Sequence, residues 1–305
     1  MLISELFTHP DGPISGTFRI FTPRQMVSRS GTPYLMLDLE DFTGSVRAYG
    51  WPNSYCGPPA PDDRSIVSVT GSVRMLNDRK LVDLHILKSV PVIIDPLRLL
   101  PQSCCPIIGG VKRLKNLLDQ ITMVPLRTFV DKILANDVLT LPFLSLPGSR
   151  EHHHSFSGGL LTHSLECAEI VATLAIDLPR QTRELGMVAA LWHDIGKVMT
   201  LDSRRGAWLT GAILDHDALT LELLATALNF LDKEWPESAL MLRYLFTWNK
   251  NGRGGRPIQV IAEAVASADR ISSGLSAERL AFAKVAGWKK LEKWNGSRYL
   301  RLALS

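Results

Sequence analysis

The chain has 305 residues, 46% of them hydrophobic and 21% charged, and its net charge of +4 is too small to indicate a polyanionic partner. Its four cysteines show no CxxC spacing, which argues against a disulfide framework or a zinc knuckle. The N-terminal residues lack the apolar core of a signal peptide, and no apolar stretch approaches the roughly 18 residues of a membrane span. We therefore expect a cytoplasmic protein of two domains with no membrane segment.

Five short β-like segments fill the N-terminal part of the chain. They are rich in Val, Ile, Leu, Phe and Tyr, are separated by turn signals, and span residues 16–27, 33–41, 45–51, 65–75 and 80–89. Five short strands favour a small closed barrel, and the OB-fold is the commonest such barrel. We predict an OB-fold-like nucleic-acid-binding domain over residues 1–93, with residues 55–64 forming the loop between the third and fourth strands.

Helical periodicity replaces the β pattern after residue 93. A proline-punctuated linker and helical connector covers residues 94–140, with apolar residues recurring at three and four positions from Val111 onward. Further helical patterns cover residues 160–178, 183–194, 216–232, 238–247, 257–272 and 277–293. The predicted fold class is multidomain α and β: a five-stranded OB-like β-barrel followed by an all-helical domain over residues 141–305.

The strongest chemical signal is an adjacent pair, His193-Asp194, at the end of an apolar helical pattern that Gly196 interrupts. An imidazole nitrogen and a carboxylate oxygen at such a helix end can reach one cation. Lys197 lies close enough in sequence to meet a substrate phosphate as a point charge. An isolated His-Asp pair is more often a helix cap, but further His and Asp candidates along the chain favour a metal site.

Two of those further candidates lie on apolar helical patterns. His163 follows a pair of glycines and shares the face of an apolar stripe, which favours a ligand over a core histidine. Asp269 ends an Ala- and Val-rich pattern that should be buried, so its carboxylate needs a partner. A metal ion is one such partner, and an ion pair with Arg270 or another base is the alternative.

The remaining histidines of this region are candidates for proton transfer or phosphate contact. His152, His153 and His154 form an internal triplet, and we interpret it as serving substrate binding or proton transfer rather than as a chance surface run. His216 starts another helical pattern, where it either contacts a metal or phosphate or caps the helix.

The order His163, His193-Asp194, Asp269 resembles the HD superfamily of metal-dependent phosphohydrolases, which is all-helical. More specifically, residues 153–166 (HHSFSGGLLTHSLE) and 190–198 (ALWHDIGKV) resemble two groups within it. One group is the YhaM-type 3′-5′ exonucleases, in which an OB-fold precedes the HD domain. The other is the HD domain of MobH-type conjugative relaxases, and this second resemblance is limited to the helical part.

One segment departs from the YhaM-type pattern. Those proteins carry a paired histidine before the final aspartate, whereas residues 245–252 here contain no histidine. If that pair holds a second ion in the family, this chain either holds one ion or fills the second site with other residues.

The resemblance implies Mn²⁺ as the cofactor, with Mg²⁺, Fe²⁺, Co²⁺ or Ni²⁺ as alternatives, and a mixed nitrogen and oxygen ligand set suits the transition metals. His163, His193, Asp194 and Asp269 are the predicted ligands. Asp194, His153, His154 and Lys197 are the predicted catalytic residues, and His216 and His152 are the additional metal or phosphate contacts.

An OB-like barrel predicts a single-stranded DNA or RNA partner, held by stacking aromatics and a basic groove. The candidates are Tyr34, Tyr49, Trp51, Arg24 and Arg47. Residues 284–301 are basic with interleaved aromatics, and they form either a second strand-contacting surface or a helix that packs its tryptophans.

The sequence therefore predicts a metal-dependent 3′-5′ exonuclease that acts on single-stranded DNA or RNA. The alternatives are an HD phosphohydrolase of nucleotides and a relaxase-like DNA-processing component of a mobile element. A barrel with strand-binding features argues against the first alternative, and retention of all four HD residues argues against a binding module without activity.

Overall fold

The computed structural model describes residues 1–90, 95–201, 207–248 and 258–301. These residues group into two units, Met1–Cys105 and Pro106–Ser305. The predicted domain limits at residues 93 and 141 remain a prediction. In the described ranges, no helix is long and apolar enough to span a bilayer.

The first unit is a closed five-stranded barrel preceded by a short helix, α1 (Ile3–Thr8). Its strands are β1 (Gly12–Val27), β2 (Pro33–Asp41), β3 (Gly44–Gly50), β4 (Ile66–Leu76) and β5 (Arg79–Ser89). The order around the barrel is β1-β2-β3-β5-β4, and β4 pairs with β1 to close it. All pairings are antiparallel except the parallel pairing of β3 with β5. The predicted five-stranded OB-like barrel is confirmed.

One long strand makes the closure geometrically possible. The N-terminal part of β1 pairs with β4 and its C-terminal part pairs with β2, and the register shifts between Phe21 and Arg24. Thr22, inside that shift, has a φ of 48°, a conformation that bends the strand. Alternate residues then point into a core of aliphatic side chains and Phe18.

The second unit is helical over most of its length, as predicted. Its helices are α2 (Gly110–Leu118), α3 (Val124–Leu134), α4 (Asp137–Ser145), α5 (Gly159–Leu174), α6 (Arg180–Trp192), α7 (Lys197–Thr200), α8 (Ala207–Ile213), α9 (His216–Glu234), α10 (Pro236–Phe246) and α11 (Val260–Phe282). Helices α5, α6 and α11 pack against one another at its centre. Their contacts include the fully buried Trp192, whose ring centre lies 4.8 Å from that of Phe143 of α4.

The end of the chain differs from the prediction. Instead of one helix over 257–272 and another over 277–293, α11 continues without a break from Val260 to Phe282. A hairpin then follows, formed by β6 (Leu291–Trp294) and β7 (Ser297–Leu300). Its turn is Asn295-Gly296, and both residues have positive φ, which is the conformation that a tight hairpin turn requires. The predicted final helix is therefore wrong, and the Asn-Gly pair is the sequence signal that overrides it.

A buried glutamate fixes the position of α6, which leads directly into the His193-Asp194 pair. Glu184 Oε1 accepts the Thr122 hydroxyl at 2.7 Å, and its Oε2 accepts the backbone amides of Thr122 and Met123 at 2.9 Å each. These amides immediately precede α3, where N–H groups have no intrahelical acceptor. The carboxylate therefore satisfies them and ties α6 to the start of α3.

We expect Glu184→Gln to destabilise the helical unit by about 1–3 kcal/mol, because the amide replaces one acceptor oxygen and leaves a donor unpaired. Urea unfolding followed by circular dichroism at a helical wavelength measures this loss. Glu222→Gln, at an exposed position of α9, is the matched control and should change stability by less than about 0.5 kcal/mol. Equal stability of the two variants would contradict the anchoring role.

Candidate metal centre

Three helices bring the predicted ligands together. His163 lies in the first turns of α5, His193 and Asp194 directly follow α6, and Asp269 lies in the middle of α11. His163 Nε2 is 3.4 Å from Asp194 Oδ2 and 3.3 Å from Asp269 Oδ1. The four side chains thus converge from positions more than a hundred residues apart in sequence.

His193 presents an unpartnered nitrogen to this cluster. Its Nδ1 donates to the Ala190 carbonyl at 2.8 Å, so the tautomer that can bind a metal carries its lone pair on Nε2. Nε2 lies 3.4 Å from Asp194 Oδ2 and 4.0 Å from Asp269 Oδ1. This atom is buried and has no hydrogen-bond donor among the described residues. A divalent cation would satisfy the lone pair and both carboxylates, so the residues fit a metal ion.

His163 is oriented by groups behind it. Its Nδ1 lies 3.0 Å from Ser272 Oγ, and the Ser272 hydroxyl donates to Glu166 Oε2 at 2.7 Å. Because the serine proton is directed to the carboxylate, Nδ1–H of His163 donates to the serine oxygen and Nε2 faces the cluster. Second-sphere hydrogen bonds of this kind fix the tautomer of a metal-binding histidine.

Sequence reasoning did not identify Glu166 or Ser272. Each lies three residues after a predicted ligand on the same helix, Glu166 after His163 and Ser272 after Asp269. That spacing places each residue on the same face as its ligand, and it is the signal that points to them.

Cys167 is a further residue that the sequence did not single out. Its Sγ lies 3.7 Å from His163 Nε2, and one ligand atom from each of His163, Cys167, His193 and Asp269 lies within 4.8 Å of the others. Burial raises the pKa of the Cys167 thiol, which disfavours the thiolate that binds metals. The sulfur therefore borders the cluster, and the carboxylate and imidazole groups are the stronger candidate ligands.

The carboxylates of the cluster remain ionised although they are buried. Burial raises the pKa of Asp194, but electrostatic attraction to His193 and Lys197 outweighs it and holds that pKa well below its usual range. Burial likewise raises the pKa of Asp269, and the hydrogen bond from His163 lowers it to about 2. For His163, burial lowers the pKa, but Asp194 and Asp269 raise it to about 12. The two carboxylates are thus balanced by the protonated ring of His163, which must release its Nε2 proton when a metal ion binds.

Lys197 and His216 complete the surroundings of Asp194. Lys197 Nζ lies 2.6 Å from Asp194 Oδ2, and His216 Nε2 lies 3.1 Å from Oδ1. The hydrogen bond to Asp194 raises the pKa of His216. Both predicted residues are therefore in the site, on the two oxygens of one carboxylate.

Gly196, which has no side chain, and the hydroxyl group of Thr220 allow α9 to approach the turn that follows His193 and Asp194. A Cβ at residue 196 would overlap the carbonyl oxygen of His216, so glycine is required for this approach. The Thr220 hydroxyl accepts the Gly196 amide at 3.1 Å and lies 3.0 Å from the carbonyl oxygen of His193. Thr220, which the sequence did not indicate, connects the turn to α9.

The histidine triplet divides into three environments. His154 is buried with a φ of 52°, and its Nε2 lies 3.1 Å from Glu166 Oε2. His153 is partly exposed, and its ring centre lies 5.7 Å from that of His163. Burial, and then the charge of Lys197, lower the pKa of His153 to about 4. His152 is exposed and accepts a hydrogen bond from the Asn295 amide at 2.7 Å.

A cavity of about 270 Å³ adjoins the cluster. Its polar wall includes His193, Asp194, His216 and Asp269, and its other wall includes Phe246, Trp248 and Arg270. Such a volume is at the lower end of the range for ligand pockets. Residues 249–252, the second half of the segment without a histidine, lie outside the described residues.

The predicted strand-binding residues of the barrel cluster on the outer face of β2 and β3. Tyr34 and Trp51 stack with ring centres 4.6 Å apart, and the ring centre of Tyr49 lies 6.0 Å from that of Tyr34. Arg47, on the same face, forms an ion pair with Asp38. Arg24 is exposed at the end of the β1 bulge.

Comparison with known proteins agrees with the resemblance found in the sequence. The family model of the HD domain matches residues 160–274, so the helical unit contains an HD domain. The 3′-5′ exoribonuclease YhaM of Bacillus subtilis is 24% identical over 243 residues, which is 76% of this chain and 74% of that protein. The YhaM of Halalkalibacterium halodurans is 24% identical over 258 residues, 79% of this chain and 76% of its own. The resemblance to relaxases stays a prediction.

A solved structure is also similar to part of this chain. The second OB-fold domain of replication protein A from Methanococcus maripaludis matches 28% of this chain and 89% of its own at 18% identity, with a TM-score of 0.20. A score this low carries no argument, so the barrel assignment rests on the strand pairing described above.

We expect Ser272→Ala to weaken Mn²⁺ binding by about 10- to 100-fold, because His163 loses the acceptor that fixes its tautomer. Titration of the metal-free protein with Mn²⁺, followed by electron paramagnetic resonance of the free ion, measures the affinity. Ser164→Ala is the matched control, since this buried serine neighbours His163 but its hydroxyl has no hydrogen-bond partner among the described residues. An affinity equal to that of the control would rule out the orienting role of Ser272.

Proposed function

We propose that this protein is a metal-dependent 3′-5′ exonuclease that hydrolyses phosphodiester bonds of single-stranded nucleic acid. The observation that carries the proposal is the convergence of His163, His193, Asp194 and Asp269 around an unpartnered imidazole nitrogen. The similarity to proteins named 3′-5′ exoribonucleases, extending over about three quarters of the chain, supports the reaction. Those names favour RNA as the first substrate to test, with single-stranded DNA beside it.

The proposed cofactor is a divalent ion, with Mn²⁺ first and Mg²⁺, Fe²⁺, Co²⁺ or Ni²⁺ as alternatives. His163, His193, Asp194 and Asp269 would hold it, because two imidazoles and two carboxylates form a donor set that suits these ions. A bound ion of this kind supplies Lewis-acid chemistry, which activates water and polarises a phosphoryl group.

The residues around the ligands fit the handling of a terminal phosphodiester. Lys197 and His216 hold Asp194 ionised and bring positive charge to the edge of the site. Arg270 borders the cavity, where a guanidinium can bind a non-bridging phosphate oxygen. Phe246 and Trp248 offer an aromatic wall on which a base can stack. A cavity of about 270 Å³ suits a single terminal nucleotide, which favours attack from an end over attack within a strand.

His153 is the proposed partner of the substrate from the histidine triplet. It is the member that is both partly exposed and adjacent to His163. His154 is buried against Glu166, so we propose that it positions the Glu166–Ser272–His163 series rather than touching substrate.

The barrel fits the capture of a single strand. Its outer face carries Tyr34, Tyr49 and Trp51 beside Arg47, and this combination of aromatic rings and a cation suits bases and phosphates in alternation. The strand-binding face of OB-folds lies on the same two strands.

We expect 5′-labelled single-stranded RNA incubated with the protein and Mn²⁺ to shorten into a descending ladder. Asp194→Ala should slow this reaction at least about a hundredfold, since it removes a ligand rather than a second-sphere partner. Asp177→Ala, which removes an exposed carboxylate between α5 and α6, is the control and should keep the wild-type rate. Intact RNA and DNA with every metal, or shortening unaffected by Asp194→Ala, would refute the proposal.

We expect Trp51→Ala to weaken binding of a single-stranded oligonucleotide by about fivefold or more, the loss of one stacked base. Trp51→Phe should retain most of the affinity because a phenyl ring still stacks on a base. Fluorescence anisotropy in EDTA measures binding without hydrolysis, and hydrolysis of bis(4-nitrophenyl) phosphate should be unchanged in both variants. Equal binding by Trp51→Ala and the wild type would remove this face from the proposal.

A further inference from the structure

The hairpin formed by β6 and β7 is held at both of its ends. At its base, the Arg301 guanidinium stacks over the Phe282 ring at 4.5 Å and donates to the Ala286 carbonyl at 2.9 Å. At its turn, the Asn295 amide donates to His152 Nδ1 at 2.7 Å. These contacts fix a short two-stranded element that would be marginal by itself in water.

The outer face of this hairpin places two cations side by side. Lys293 and Arg298 are direct partners in the β6–β7 register, and both are exposed. Like charges opposite each other destabilise a strand pair. Neither side chain forms an ion pair with a carboxylate of the described residues. The pair therefore costs stability in the protein alone and would gain from a bound anion.

An exposed aromatic residue precedes the hairpin. Trp288 is 81% exposed and lies three residues before β6. In contrast, Trp294 and Tyr299 point to the other face of the hairpin and are partly buried. An exposed indole and a pair of exposed cations on one short segment are the combination that binds both the bases and the phosphates of a single strand.

The hairpin turn contacts the histidine triplet. Asn295 contacts His152, and the next residue, His153, has its ring centre 5.7 Å from that of His163. Lys293 and Arg298 are two and three residues from Asn295, so an anion held by them lies near the turn that contacts His152. This proximity favours a substrate strand over an unrelated partner.

A second copy of this chain fits the same surface poorly. In a two-fold symmetric contact, a patch faces itself, so Lys293 and Arg298 would meet the same cations of the other copy. The exposed Leu291 and Leu300 offer only a small apolar area beside them.

We propose that the outer face of the β6–β7 hairpin, with Lys293, Arg298 and Trp288, binds the single-stranded segment of the substrate next to the nucleotide in the metal centre. This inference rests on the proposed function and names a second strand-binding surface, distinct from the barrel.

The test compares the full-length wild type with Lys293→Ser/Arg298→Ser and with a matched control, Arg180→Ser/Lys233→Ser. The control removes the same two charges at helix ends remote from the site. Arg180 is 13 residues from His193, and Lys233 is 17 residues from His216. Binding of a 5′-fluorescein-labelled single-stranded oligonucleotide is measured by anisotropy in EDTA over a series of salt concentrations.

We expect the hairpin variant, Lys293→Ser/Arg298→Ser, to bind the oligonucleotide about tenfold more weakly than the control at about 0.1 M salt. The slope of the logarithm of the binding constant against the logarithm of the salt concentration should become shallower by about 1.4, or about 0.7 for each lost phosphate contact. Trp288→Ala should weaken binding about fivefold or more with an unchanged slope. With Mn²⁺, hydrolysis of bis(4-nitrophenyl) phosphate should be equal in all variants. Thermal melting of each variant verifies that the fold is retained.

Equal affinity and slope in the hairpin variant and the control would overturn the inference. So would a wild-type dimer, detected by light scattering, that dissociates in the hairpin variant without a loss of strand binding. If the wild type hydrolyses no strand but the hairpin variant binds strands more weakly than the control, the proposed function is refuted and the strand-binding surface is supported. If the wild type hydrolyses strands and the hairpin variant binds them as tightly as the control does, the proposed function is supported and the strand-binding surface is refuted.

Discussion

Asp194 is an ionised carboxylate inside a helical bundle, 3% exposed, and the helices of the second unit meet around it. Burying an unpaired charge in such a place costs several kcal/mol of folding free energy, so this carboxylate requires partners. His163 comes from α5, Lys197 begins α7 and His216 begins α9, and each places a nitrogen within 3.4 Å of an Asp194 oxygen. The direction of each helix is therefore tied to one carboxyl group, and a shift of any of them would remove one of the nitrogens that stabilise this charge.

The same arrangement explains why the ligand side chains are set before a metal arrives. His163 is fixed from behind by Ser272 and Glu166, and His193 is fixed by the carbonyl of Ala190 at the end of its own helix. Each ring thereby turns Nε2 toward the carboxylates. Ligands that are already oriented lose little conformational freedom on binding, and this favours tight binding of an ion.

The sequence predicted the barrel strands closely because each strand alternates between a filled core and solvent, and this alternation is visible in the residues themselves. It also singled out the four candidate ligands, because His and Asp in apolar helical patterns are unusual, and the structure places these side chains together. It did not predict Glu166 and Ser272 as partners, since they are 106 residues apart and meet only through the crossing of α5 and α11. The C-terminal error has a local cause. Helical periodicity in residues 277–293 was extended past Phe282, although the Asn-Gly pair that follows demands a reversal of direction.

The closure of the barrel has a consequence for its internal motion. Four of its five strand pairings are antiparallel ladders. The parallel pairing of β3 with β5, called the β3–β5 seam below, consists of Ala48 with Val82 and Tyr49 with Asp83. Local opening is easiest where few backbone hydrogen bonds must break together, so amide protons along this seam should exchange with solvent before those of the β1–β4 ladder. Tyr49 belongs both to this seam and to the aromatic face. A nucleic-acid strand bound on that face would contact Tyr49, so its binding would slow amide exchange at this seam.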